Sequence, residues 1–215
     1  MLKFIIIAVI LLALAALVWA FLSRRDTTTV GVPHSPRTME SLLNELELLG
    51  FYRYTDPNDV IAVKAQAVEI GYLFGWECTQ RDYIADAEDL AEGGVKAFLE
   101  TILAFLQRQG VELHSVQEDY SDQGYTIMVN GKTYAIYSNE EPSGANIWAL
   151  STKRTFDLVN HLLAEAGSDE RVYLLYGGND ARAIFLTEEM HELIRTSGLL
   201  APEEIPVRTD EIVLR

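Results

Sequence analysis

Tyr125-Thr126-Ile127-Met128-Val129-Asn130-Gly131-Lys132-Thr133-Tyr134-Ala135-Ile136-Tyr137 is the stretch that decides the fold class. Two runs rich in β-branched and aromatic residues flank Asn-Gly, the favoured two-residue hairpin turn, because both turn positions need positive φ. That loop sets a register in which Ile127 faces Tyr134 and Tyr125 faces Ile136. A second hairpin follows, with residues 172–176 and 181–186 around Gly177, Gly178, Asn179 and Asp180. Its strands are apolar on both faces, so they are expected at the centre of a sheet. Residues 111–117 are expected to add a neighbouring strand, and residues 147–150 another short one.

Working outward, the first half reads as helices. Met39, Leu42, Leu43, Leu46 and Leu49 fall at helical spacing, with Gly50 where a terminating glycine belongs. Asp56-Pro57 starts a second helix, carrying Val60, Val63, Ala67, Ile70 and Phe74 on one face. Val95, Phe98, Leu99, Ile102, Leu103 and Leu106 form the cleanest amphipathic pattern, ending at Gly110. In the second half Phe156, Val159, Leu162 and Leu163 mark a helix closed by Gly167, and Thr187 caps a last helix that ends at Gly198. The expectation is an α+β domain: a helical first half, then an antiparallel sheet with helices packed on it.

Ahead of this lies a different kind of segment. Residues 4–22 contain no charge and no polar side chain. As a helix they span about 28 Å, the hydrocarbon thickness of a bilayer. Trp19 and Phe21 lie near one end and Ser23-Arg24-Arg25 stops the run. A cleaved signal peptide is the rival reading, with Lys3 as its basic region, but the apolar run continues past the small residues Ala13 to Ala15. The organisation read from the sequence is therefore a single transmembrane anchor with a basic stop over residues 1–25, a Thr/Pro/Gly-rich linker over 26–37, and one soluble domain over 38–215. Arg24, Arg25 and Arg37 lean toward a C-terminal domain on the cytoplasmic side of a bacterial inner membrane.

The chain's net charge is −15. Lys3, Arg24 and Arg25 are the basic residues of the first 25, so 14 basic residues in the remainder face 32 acidic ones, a net of −18. Such a surface repels phosphate and argues against a nucleic-acid partner, while it attracts a basic protein. The sole cysteine, Cys78, can form no internal disulfide and no metal site alone.

Candidate functional residues come from three places. Asp82, Asp86 and Asp89 recur at helical spacing and, with Glu92, have no base among them; they read either as a solvated helix face or as an acidic face that receives the partner. Gly177-Gly178-Asn179-Asp180 resembles a phosphate cradle in composition, but it joins two strands, lacks a following lysine and carries Asp180, so it reads as a tight turn. His191-Glu192 begins like a zinc-peptidase helix, but Arg195 stands where the second histidine belongs. No cofactor signature is present, and no metal is expected.

The order of anchor, linker and acidic domain resembles bacterial membrane-anchored accessory or immunity-type proteins in layout and charge. The acidic surface and the absence of a catalytic signature point to a non-enzymatic, membrane-tethered module that binds a basic partner. The alternative is an enzyme whose site assembles from distant groups, His114, His161 and His191 with nearby acids.

Overall fold

The computed structural model describes residues 37–142 and 146–214, and the anchor and nearly all of the linker expected from the sequence lie outside them. Among the described residues no helix is long and apolar enough to cross a membrane. The domain is α+β, built from two antiparallel three-stranded sheets and seven helices.

Two helices come first, α1 (Met39–Leu48) and α2 (Pro57–Ile70). Thr38 caps α1 by accepting from Ser41 N, and Asp56 caps α2 by accepting from Asn58 N. A short strand, β1 (Asp82–Ile84), leads into α3 (Ala87–Ala91), capped by Asp86. The amphipathic stretch expected as one helix is two, α4 (Val95–Thr101) and α5 (Leu103–Arg108), joined at Ile102. Then come β2 (Val116–Ser121), β3 (Gly124–Val129) and β4 (Lys132–Ser138), a meander paired β2-β3-β4. The third helical stretch is α6 (Ile147–Glu165), followed by β5 (Glu170–Leu175), β6 (Arg182–Thr187) and α7 (Glu188–Thr196).

Further sequence expectations are corrected. The sheet is two sheets, and β1, from the helical half, pairs with β6 in the order β1-β6-β5. Residues 147–150 are the first turn of α6, because Asn146 caps the helix by accepting from Ala149 N at 3.1 Å. The neighbouring strand begins at Val116, so it overlaps the expected 111–117 by only two residues. In the Asn-Gly hairpin Ile127 faces Tyr134 as expected, but Tyr125 faces Tyr137, because a bulge between Tyr125 and Thr126 inserts one residue on β4. The bulge allows Ile136 to be fully buried while Tyr137 packs against the same core.

The β5–β6 hairpin is buried on both faces, the reason its sequence does not alternate, but only β6 is central: β5, also expected at the centre, is an edge strand because β1 pairs with β6. Val172, Leu174, Ala183 and Phe185 join a core with α4, α5, α6 and the inner face of β3. Tyr173, Leu175, Ile184 and Leu186 join a second core with α1, α2 and α7. The sheet is thus the middle layer between two sets of helices.

Arg81 and Glu170 pin these layers together. Both side chains are essentially inaccessible, at 1% and 0% exposure. The guanidinium is bidentate to the carboxylate at 2.7 and 2.9 Å and donates to the carbonyls of Phe51, Gly50 and Phe185, so all of its donors are satisfied. Tyr54 covers it, 4.9 Å from ring centroid to guanidinium carbon. Residues far apart in sequence are tied at one point.

Candidate partner-docking site

The acidic run does not form one helix face. Asp82 lies in β1 and is buried; its carboxylate accepts from Gly75 N and, at 2.6 Å, from Arg182 Nε. It is structural, and the helical spacing that placed it on a shared face is coincidental. Asp86 is the cap of α3, accepting from Glu88 N at 2.9 Å. Asp89 follows on α3 and Glu92 just after it, and with Asp86 they line an open bowl of about 520 Å³. Ile84, 67% exposed, and Phe98 supply apolar wall, and no basic residue lines it. Gly93-Gly94 closes the rim tightly: Gly94 N donates to Asp89 O at 2.8 Å, and a Cβ at Gly94 would stand 2.6 Å from that carbonyl.

Gly177-Gly178-Asn179-Asp180 reaches the same neighbourhood. Residues Gly178–Asp180 form one 3-10 turn, entered through Tyr176 at φ 62°, and Asn179 Nδ2 donates to Glu88 Oε2 at 3.1 Å. The loop props the acidic helix, a link between two features that nothing in the sequence connects.

The histidines do not converge. His114 pairs with Glu112 on the surface. His161 meets Lys132 and Glu165 on another exposed patch. His191 is buried, stacked on Tyr173 at 4.2 Å, with Nε2 2.7 Å from Pro206 O. They share no partner, and among the described residues no three His, Cys, Asp or Glu gather as a metal site. Cys78 is half-buried, and burial pushes its thiol pKa up, away from the reactive thiolate.

The feature that sequence reading missed is a groove of about 770 Å³ between α1 and α7. Its floor is Leu48, Leu49 and Leu193. Leu48 stands 89% exposed, on the side of α1 opposite the buried Leu42, Leu43 and Leu46. The walls are glutamates: Glu45 from α1, and Glu188, Glu189 and Glu192 from α7. Arg37, Arg208 and Arg195 pair with Glu45, Glu188 and Glu192 without lining the groove, while Glu189 has no ion pair among the described residues. Glu188 also accepts from Tyr173 OH at 3.1 Å; burial first, then this carboxylate, pushes the phenol pKa up. A clue was present in the sequence: Leu48 breaks the apolar stripe of α1, and α7 carries Glu188, Glu189 and Glu192 on the side away from buried Met190 and Ile194. Only the fold puts the two helices side by side. Comparison with known proteins returns no matching family, no matching curated protein and no matching solved structure.

Proposed function

We propose that the chain is a membrane-tethered protein-binding module that receives a basic, amphipathic segment of a partner protein in the α1/α7 groove. One observation carries the reading: a leucine floor walled by four glutamates with no basic lining residue. Exposed apolar surface inside a charged rim is what a docking interface offers, since the floor supplies affinity and the rim selects partners and speeds encounter. An amphipathic helix set in a hydrophobic groove is a recurring mode of recognition, and lysines or arginines along its flanks would meet the rim. The tether is the apolar run over residues 4–22, with the domain held on the cytoplasmic side of the membrane in the orientation the arginines favour. The acidic bowl on α3 adds to the field that draws a basic partner in.

Photocrosslinking tests the groove directly. A photoreactive amino acid at position 48 of the full chain, in its native membrane, should give one dominant protein adduct. Glu189→Lys with Glu192→Lys should abolish it while leaving expression unchanged. Survival of the adduct in the charge-reversed variant, or adducts only from positions outside the groove, would refute the reading.

A further inference from the structure

The sheets differ in how their edges are closed, and one edge is left open. On β5, Leu174 exchanges two backbone hydrogen bonds with Val207 of the C-terminal segment, at 2.9 and 2.7 Å. The β1 edge is only three residues long. The β4 edge is broken by the bulge and by Arg154, whose Nη1 takes the Ile136 carbonyl at 3.2 Å. β2 has none of these devices. Asn130 N donates to Ser115 O at 2.9 Å, which fixes the alternation of the β2–β3 ladder. Gln117, Asp119 and Ser121 therefore bond to β3, and Val116, Glu118 and Tyr120 turn their backbone N–H and C=O outward. No group among the described residues meets them.

We infer that β2 is a strand-addition site for an extended, basic segment of a partner protein. Three consecutive outward residues give a docked strand a ladder of backbone bonds, and side chains give it selectivity. Alternate side chains of the new strand would lie over the same sheet face as Val116 and Glu118. There a cavity of about 290 Å³ opens between that edge and α4, with Leu99, Leu103 and Leu113 on its walls. Glu118 and Asp119 on the strand and Glu100 at the cavity outweigh Lys96, so basic side chains complement the rest of the surface. A second copy of this chain does not fit: the antiparallel register that matches the three outward residues sets Glu118 against its own copy. The inference is independent of the α1/α7 groove, and loss of either site leaves the other intact.

The probe is an acetylated, amidated Lys-Val-Lys-Val-Lys-Val-Lys peptide added to the full chain in neutral detergent, with amide exchange read residue by residue. Saturating peptide should slow exchange at Val116, Glu118 and Tyr120 about tenfold or more, the worth of a backbone hydrogen bond. The same peptide N-methylated at alternate residues should not. Val116→Pro removes one outward N–H at the first residue of the strand, where proline is tolerated, and should weaken binding roughly tenfold. Val116→Thr keeps that N–H and should bind as the wild type does. Peptide binding that leaves the three amides unprotected, equal binding of the N-methylated peptide, or no binding at millimolar peptide each overturns the proposal, and none depends on how Val116→Pro folds.

Discussion

The two sheets are built for opposite environments. The β1-β6-β5 sheet has helices on both faces, a polar pin at one end and its own C-terminal segment on its outer edge. The β2-β3-β4 sheet has one buried face, carrying Tyr125, Ile127 and Val129, while β2 is largely exposed and Tyr120 stands 56% accessible. Both are antiparallel and three-stranded, so topology does not separate them. Burial does: the first sheet is a structural centre, while the second offers the solvent a face and an edge. Surfaces able to meet a partner are expected where packing is incomplete, and both the β2 edge and the α1/α7 groove lie at the margins of their cores.

The contrast should break first at the pin. Glu170→Ala leaves the Arg81 guanidinium buried without its counter-charge, and the loss should be about 3–5 kcal/mol. Arg81→Met with Glu170→Leu removes both charges and should recover most of it. Urea unfolding measures both; a loss below about 1 kcal/mol for the single variant would mean that the pin does not hold the layers. The next effect compares the sheets directly. Ile184→Ala on β6 empties space in a closed core and should cost about 2–5 kcal/mol. Met128→Ala, on the solvated face of β3, should cost under about 1 kcal/mol. Equal costs would erase the distinction between the sheets.

This difference is also why the sequence is legible in some places and not in others. The β5–β6 hairpin declares itself by apolar residues at successive positions, and its burial on both faces follows from that alone, whereas the place of β5 at an edge is set by which strands pair. The starts of α2 and α7 are marked by Asp56 and Thr187, whose side chains do the capping. What failed depends on contacts distant in sequence. β1 is three residues, too short for any periodicity, and exists because β6 pairs with it. Asp82 has the spacing of a helix face, yet its partners are Gly75 and Arg182. α4 begins at Gly94, which has no capping side chain; instead Tyr125 OH accepts from Val95 N at 3.1 Å and Glu118 Oε1 from Lys96 N at 2.8 Å. Local signals cannot report a cap supplied by a strand more than twenty residues later. The groove is of the same kind, since Leu48 and Leu193 meet only in the fold.

A smaller effect appears at high pH. Seven of the ten tyrosines have raised pKa values, with burial the first cause in each: Tyr52, Tyr72, Tyr83, Tyr125, Tyr134, Tyr137 and Tyr173. Tyr137 is pushed up to about 12. In the unfolded chain these phenols ionise near pH 10. A raised folded pKa means that the associated stability is intact below that pH and is lost as pH climbs toward the folded values. The tyrosinate absorbance of these seven phenols should therefore rise only well above pH 10, in a step that coincides with loss of circular dichroism. Tyr137→Phe and Tyr125→Phe test two of the three raised phenols on the β2-β3-β4 sheet, and Tyr173→Phe one of the two on the β1-β6-β5 sheet. A single smooth titration with the fold intact would show that these rings are open to solvent.

The smallest effect on stability should come from the acidic bowl, where it separates a structural carboxylate from a steering one. Asp89 and Glu92 make no ion pair among the described residues, so Asp89→Asn with Glu92→Gln should change stability by less than about 0.5 kcal/mol. Asp82→Asn, which weakens the link to Arg182 on β6, should cost about 1–3 kcal/mol. The two carboxylates of the bowl can still act at a distance. Exposed charges attract a basic partner before contact, and salt screens them beyond about 8 Å at physiological ionic strength. With the partner captured by crosslinking from position 48, association should slow as salt rises, and the double variant at low salt should match the wild type at high salt. Dissociation should change little, because it depends on the leucine floor of the groove, and Leu48→Asp should do the reverse, raising the dissociation rate with less effect on encounter. Equal association rates for wild type and double variant at low salt would show that the bowl serves solubility alone and would confine recognition to the groove.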